Sequence, residues 1–193
     1  MGFSYTCFLS FIVLHGQKLL SGLVDCLKDE DPNVRKSCTY AIGNAAYHTG
    51  DLYRKLGVAV PPLVKLLDDP VAKTRANAAS ALGNLTIHSS DLSPALLQQN
   101  AVKSILETAC HDSQFGVQEC CLTALRSMAS RPALRQELIK LNATQKLSEI
   151  QDGGRVTPHI RRSMALSKST GRHSLTTVML HCTKLIRLLS TGS

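Results

Sequence analysis

The sequence predicts an all-α fold: a right-handed helical solenoid (an α-α superhelix) of about three repeats, followed by a tail that ends in a helix. Three observations support this prediction. Segments of the chain resemble one another at an interval of about 40 residues. Apolar residues in each copy recur at i, i+3, i+4 and i+7, which is the spacing of one helix face. Aromatic residues make up only 4% of the chain and tryptophan is absent, so the core is expected to be aliphatic, as in closely packed helices.

The repeat is visible in two neighbouring segments and more weakly in a third. Leu23–Leu27 lines up with Leu63–Leu67 at an offset of 40 residues, and Ala41 lines up with Ala81 at the same offset. A third copy places Ala124 43 residues after Ala81. A fixed period of this length indicates stacked units that bury a continuous core only together.

Each unit is predicted to contain one short helix and two long ones. Pro32 and Pro70 lie between the two long helices, where a proline ends the first of them because it cannot donate a backbone hydrogen bond. The Pro61–Pro62 pair opens a long helix at its first turn. Residues that tolerate a left-handed cap follow the short helices: Gly57, Asn100 and Asn142. One short and two long helices in about 40 residues is an armadillo unit, whereas two helices alone would indicate HEAT.

Four segments follow from this register. Residues 1–16 are a divergent segment in the place of the first short helix, and residues 17–150 hold the repeats, with a fourth that begins at Ala143 and is broken after residue 151. Residues 151–177 are predicted to be a flexible, basic linker rich in serine and threonine. Residues 178–193 form an amphipathic helix that we expect to dock on the last repeat; a helix bound to a membrane surface or to a partner is the alternative.

The N-terminal apolar run from Phe8 to Leu14 has a second interpretation, the core of a signal peptide. No lysine or arginine precedes the run, although signal peptides begin with a basic segment, and the run is shorter than the ~20 residues that cross a bilayer. The position of a repeat helix explains it better.

The charge distribution and the cysteine content argue against nucleic-acid binding, disulfide bonds and a zinc site. Seven basic residues and no acidic residue lie in residues 153–193, so most of the net charge of +8 belongs to the tail. A nucleic-acid-binding domain normally carries a basic patch on its folded body, so direct nucleic-acid binding is not expected. The seven cysteines are odd in number and contain no CxxC pair, which favours reduced thiols in the cytoplasm over disulfides or zinc. We expect no cofactor, no metal and no membrane span.

Particular segments resemble a known family. Gly57–Leu67 resembles the armadillo signature, and Asp69–Leu85 is similar to the C-terminal repeats of Fused-type serine/threonine kinases. Thr123–Ser127 and the terminal His181–Leu189 fit the end of the same family. The resemblance covers residues 17–150 and the last helix.

The resemblance implies a non-catalytic protein-interaction scaffold. Kinases of the Fused type act in Hedgehog and smoothened signalling and in the assembly of motile cilia, and they work with a kinesin-like protein, Suppressor of Fused and Gli-type transcription factors. The implied location is the cytoplasm, with cytoskeletal or ciliary association. The chain has no Gly-rich phosphate loop, VAIK-like lysine, HRD or DFG, so no catalytic residue is assigned. The alternatives are a stand-alone armadillo peptide-binding adaptor and a structural solenoid segment.

The candidate protein-binding residues are Asn44, His48, Asn84 and His88. Asparagines at this position line the peptide groove of armadillo arrays, and an amide can both donate to and accept from a peptide unit. Each histidine lies four residues later on the same helix face. The third copy carries Ser127 and Arg131 instead, which leaves inter-helix capping or plain solvation as the alternative role.

Arg35 and Arg75 begin their helices directly after acidic loops. Contact with an acidic partner is one possible role. The prediction we prefer is packing against the preceding loop through Asp29, Asp31, Asp68 and Asp69.

Overall fold

The structure is a computed structural model that describes residues 20–48, 54–151 and 175–191, and these ranges are helical apart from short loops. The first repeat contains α1, residues 20–26, and α2, Pro32–His48. The second contains a 3-10 turn over Lys55–Ala59, then α3, Val60–Lys65, prolonged by a turn over Leu66–Asp68, and α4, Ala72–Asn84. The predicted fold class is confirmed.

The third repeat has three α-helices: α5, Ser93–Gln98, α6, Ala101–His111, and α7, Phe115–Ala129. A fourth follows with α8, Pro132–Lys140, α9, Ala143–Gln151, and α10, Leu175–Ser190. The third helices of the repeats, α2, α4, α7 and α10, stack side by side in that order. None of the helices in the described ranges is long and apolar enough to cross a membrane.

The core is a continuous row of aliphatic side chains contributed by equivalent positions of successive repeats. Ile42, Leu82 and Leu125 occupy one position of the third helices and are fully buried, as are Leu63 of α3 and Ile105 of α6. Leu185 of α10 is fully buried as well. At about 1.5–3 kcal/mol for each fully buried large aliphatic side chain, this row is the main stabilising term of the solenoid.

The loops between the second and third helices are closed by aspartates. The Asp69 carboxylate accepts the backbone N–H of Val71 at 2.8 Å, and the Asp112 carboxylate accepts that of Gln114 at the same distance. Both capped loops turn the chain from one long helix into the next, so the acidic residues of these loops have a structural role.

The predicted left-handed caps are correct at two of three positions. Asn100 and Asn142 have φ angles of 54° and 53°. The prediction for Gly57 is wrong, because this residue lies inside the 3-10 turn that runs directly into α3. A Cβ on Gly57 would lie 3.0 Å from Cδ2 of Leu92, so close packing against Leu92 explains the glycine at this position.

The terminal helix completes a fourth repeat, whereas the sequence indicated that this repeat breaks off after residue 151. α10 packs against both α7 and α9, as the third helix of a repeat does. Its buried residues Val178, Cys182, Leu185 and Leu189 follow their α7 equivalents, Val117, Cys121, Ala124 and Met128, by 61 residues. Of the predicted 151–177 linker, residues 152–174 lie outside the described residues, whereas residue 151 belongs to α9 and residues 175–177 belong to α10. Residues 1–16 also lie outside the described residues.

Candidate protein-binding face

Asn44 and His48 lie on α2 and Asn84 lies on α4, whereas His88 lies in the turn after α4 rather than on the helix face that the sequence predicts. Asn84 and His88 form hydrogen bonds with the preceding repeat. The side-chain amide nitrogen of Asn84 donates to the backbone carbonyl of Gly43 at 2.9 Å. Nε2 of His88 donates to the carbonyl of Tyr47 at 2.7 Å, since a carbonyl oxygen can only accept. Both bonds tie α4 and the turn after it to α2.

Asn44 stands at the same register one repeat earlier. It is half-buried, and no residue in the described ranges forms a hydrogen bond with its side chain. The side chain of His48 lies outside the described residues.

Arg131 takes the place of the histidine in the third repeat. Its Nε donates to the carbonyl of Thr86 at 2.6 Å, and its Nη2 donates to the carbonyl of Ile87 at 2.5 Å. These carbonyls directly follow α4, where the partial negative charge of the helix end favours a cation. The sequence predicts that the histidine pattern is interrupted at Arg131. The arginine nevertheless bonds to the preceding repeat, as His88 does, with a different side chain.

Arg131→Ala is therefore expected to lower the free energy of unfolding by about 1–2 kcal/mol, because two charge-assisted hydrogen bonds to the end of α4 are lost. Urea denaturation followed by circular dichroism measures this change. Arg126→Ala is the matched control, since Arg126 is exposed on α7, and it should change stability by at most about 0.5 kcal/mol. Equal losses in the two variants would contradict the capping role.

Large apolar side chains are exposed on and beside the same helices. Tyr40 and Tyr47 on α2 are 52% and 53% exposed, and Ile87, just after α4, is 38% exposed. Tyr40 lies one helical turn before Asn44, and Tyr47 and Ile87 are equivalent positions of consecutive repeats. We call Tyr40, Asn44, Tyr47, Asn84 and Ile87 the third-helix patch.

The third helices carry almost no negative charge. Glu119 is the only acidic residue in α2, α4, α7 and α10. The basic residues of these helices are Arg35, Lys36, Lys73, Arg75, Arg126, Lys184 and Arg187. The electrostatics of this side of the solenoid therefore favour neutral or acidic ligands over basic ones.

Arg35 and Arg75 join consecutive repeats. The prediction that they pack against the preceding loop is correct for their backbone contacts and wrong for their carboxylate partners. As expected, each guanidinium donates to a backbone carbonyl of the loop before its own helix. Arg35 donates to the carbonyl of Asp29, and Arg75 donates to the carbonyl of Asp69. Their carboxylate partners, however, belong to the following repeat.

Both ion pairs use the guanidinium Nε, and the second adds a hydrogen bond from Nη2. Arg35 contacts Asp69 at 2.7 Å, and Arg75 binds Asp112 through two hydrogen bonds of 2.6 and 3.0 Å. The hydrogen bond that it donates to Asp112 raises the pKa of the Arg75 guanidinium, and the one donated to Asp69 raises the pKa of Arg35. Most N–H donors of these two guanidinium groups are paired inside the solenoid, so a structural role accounts for both arginines.

The buried cysteines are core residues. Cys121 and Cys182 are fully buried, and burial raises the pKa of the Cys121 thiol and brings that of Cys182 to about 12. A thiol is a poor nucleophile when its thiolate is disfavoured in this way. In the described ranges no group of histidine, cysteine and acidic side chains has the arrangement of a metal site.

Comparisons with known proteins agree with this architecture. A family model described as HEAT repeats matches residues 20–104. The chain is similar to serine/threonine-protein kinase 36 of Pongo abelii, 43% identical over 171 residues, and to that of Mus musculus, 39% identical over 171 residues. Each match covers 89% of this chain and 12% of the relative, so the chain spans about an eighth of the length of these proteins.

Solved structures show the same fold. A designed armadillo repeat protein, YIII(Dq)4CqI, has a TM-score of 0.67 at 24% identity, covering 88% of this chain and 64% of that one. A second, described as YIII(Dq.V1)4CPAF in complex with peptide (KR)4, has a TM-score of 0.67 at 20% identity, covering 92% and 85%. The part that this chain shares with kinase 36 is a repeat region, so the chain itself is not catalytic. The chain is thus an all-α repeat solenoid of the armadillo and HEAT type, and its resemblance to Fused-type serine/threonine kinases is confirmed.

Proposed function

We propose that this chain is a non-catalytic scaffold that binds other proteins, as the repeat region of a Fused-type kinase in Hedgehog and smoothened signalling and in motile cilium assembly. The observation that carries the proposal is the third-helix patch, where Tyr40, Tyr47 and Ile87 expose apolar surface. Aromatic side chains of this kind supply much of the binding energy in protein interfaces. The proposed partners are a kinesin-like protein, Suppressor of Fused and Gli-type transcription factors, in the cytoplasm and at the cilium or cytoskeleton.

The patch also indicates how a partner segment is held. An extended peptide exposes backbone N–H and C=O groups, and the amides of Asn44 and Asn84 can bond to both kinds of group. Asn84 donates one hydrogen bond to Gly43, and its side-chain oxygen is an acceptor. Because the third helices contain Glu119 as their only acid, we propose that the bound segment is neutral or acidic.

The test uses the full chain immobilised on a surface and fragments of the three proposed partners in solution. Tyr40→Ala combined with Tyr47→Ala should reduce affinity at least tenfold, since truncation of one interface hot spot costs roughly 2 kcal/mol or more. The matched control is Val58→Ala combined with Ile139→Ala, because these side chains are 60% and 46% exposed elsewhere on the solenoid. Recovery of none of the partners, or equal losses in both double variants, would refute the proposal.

A structural solenoid segment is the second candidate, favoured by the bonds that Asn84 and His88 make to the preceding repeat. It is distinguished from a peptide receptor by Asn84→Ala. A receptor loses affinity for its peptide in this variant, whereas a structural segment loses stability and has no peptide affinity to lose. A stand-alone adaptor of the kind that binds basic peptides predicts binding of (KR)4 and no preference for acidic segments.

A further inference from the structure

The face of α2 that points away from the second repeat is the feature from which this inference starts. Its residues are identified by register, because Asn77 and Asn84 of α4 donate to carbonyls of α2, and Ala81 of α4 lies against Gly43 of α2. The equivalent residues of α2, 40 positions earlier, are Ser37, Ala41 and Asn44. We call these three residues the leading face of α2.

Equivalent residues on the two helices differ in burial and in bonding. On α4, Ala81 is fully buried and Asn77 is 9% exposed. On α2, Ala41 is half-buried and Ser37 is exposed. The small, uncharged side chains of the leading face thus match those of a packed repeat interface, although no described residue packs on them as α2 packs on α4.

The loop before α2 shows the same difference. Asp69 and Asp112 each bind an arginine from the repeat before, and their side chains are 2% and 4% exposed. Asp29 occupies the same loop position one repeat earlier and is exposed. In the described ranges its carboxylate accepts the backbone N–H of Asp31 and binds no arginine.

The opposite end of the solenoid has a different character. Two α4 residues at the α7 interface are small, namely Ser80 and Gly83. Their equivalents on α10, Lys184 and Arg187, are exposed and charged. The outer face of α10 therefore has the polar character of a capping repeat, and the leading face of α2 lacks it.

We infer that the leading face of α2 is a docking surface for a further helical repeat of the same type. The third helix of that repeat places an arginine of its first turn on Asp29, as Arg35 binds Asp69 and Arg75 binds Asp112. It also offers a backbone carbonyl to the Asn44 amide, as Gly43 offers one to Asn84. The kinase 36 relatives, of which this chain spans 12%, have ample additional length to supply such a repeat.

The test grafts a second copy of residues 57–99 in place of residues 1–15. The copy carries its own equivalent of Arg75, and its register before Gly16 matches that of residues 57–99 before Asn100. We expect the graft to raise Tm by roughly 5 °C or more and to slow amide exchange across α2 at least tenfold, because it buries the leading face. The chain without residues 1–15 is the reference.

The ion pair is tested by Asp29→Asn and by replacing the arginine of the grafted copy with glutamine. Each change should remove part of the Tm gain in the graft, and Asp29→Asn should leave Tm of the natural chain unchanged. The inference is overturned if the graft gives no Tm gain, or if Asp29→Asn lowers Tm equally in both chains. It is also overturned if deletion of residues 1–15 alone speeds α2 exchange tenfold, since those residues would then cover the face.

Discussion

Arg75→Ala is expected to lower the free energy of unfolding by about 2–3 kcal/mol, because it leaves the carboxylate of Asp112 buried without its cation. The Asp112 side chain is 4% exposed and receives two hydrogen bonds from the guanidinium, at 2.6 and 3.0 Å. The same guanidinium also bonds to the Asp69 carbonyl, so one residue joins two consecutive loops. Urea denaturation of the full chain, followed by circular dichroism at 222 nm, measures the loss.

The matched control for this variant is Arg54→Ala. Arg54 also pairs with an aspartate of the next repeat, Asp91 at 2.9 Å, but the two side chains are 84% and 45% exposed. Solvent screens such a pair, so the unfolding midpoint should stay unchanged. Arg75→Lys should lie between wild type and Arg75→Ala, since lysine keeps the charge and loses the planar pair of donors. If Arg75→Ala costs no more than Arg54→Ala, the buried ion pair does not stabilise the repeat interface.

The sequence predicted the fold well because each repeat carries the same local signals. Apolar spacing and the left-handed asparagines at Asn100 and Asn142 act within one helix or one turn, so they are visible in the sequence itself. The prediction for Gly57 is wrong because a glycine suits both a left-handed cap and a close contact, and only the position of Leu92 distinguishes the two roles. The sequence predicts the start of the fourth repeat at Ala143 but not its completion, because its third helix follows that of the third repeat by 61 residues rather than by about 40.

The candidate site was less predictable, since its residues act across repeats. The sequence placed Asn84 and His88 on one helix face, but it could not show that they donate to Gly43 and Tyr47. Arg131 also donates to carbonyls of the preceding repeat, but with a guanidinium in place of an imidazole. A comparison of residue types between repeats therefore does not predict this role. The available signal was its position, 43 residues after His88. The exposure of Tyr40 and Tyr47 depends on how α2 and α4 are stacked, which a helical period leaves open.

A series of three glycine variants tests how closely the helices of the solenoid are packed. Gly83→Ala is expected to lower the free energy of unfolding by about 1–2 kcal/mol, although alanine is the better helix former by ~1 kcal/mol. An added Cβ would lie 2.7 Å from Cα and 2.8 Å from Cβ of Ala124, so the backbones of α4 and α7 must separate. Thermal and urea unfolding of each variant measure the change.

Two other glycines are expected to tolerate alanine under the same measurements. A Cβ on Gly43 would lie 3.4 Å from that of Ala81, and one on Gly22 would have no atom within 4 Å. Gly22→Ala should therefore stabilise the chain by about 0.5–1 kcal/mol, and Gly43→Ala should be close to neutral. If Gly83→Ala were instead as stable as Gly43→Ala, the α4–α7 spacing would not depend on the glycine. Because the third-helix patch spans α2 and α4, Gly83→Ala should also leave partner binding through Tyr40 and Tyr47 intact, which separates a loosened repeat interface from a damaged binding surface.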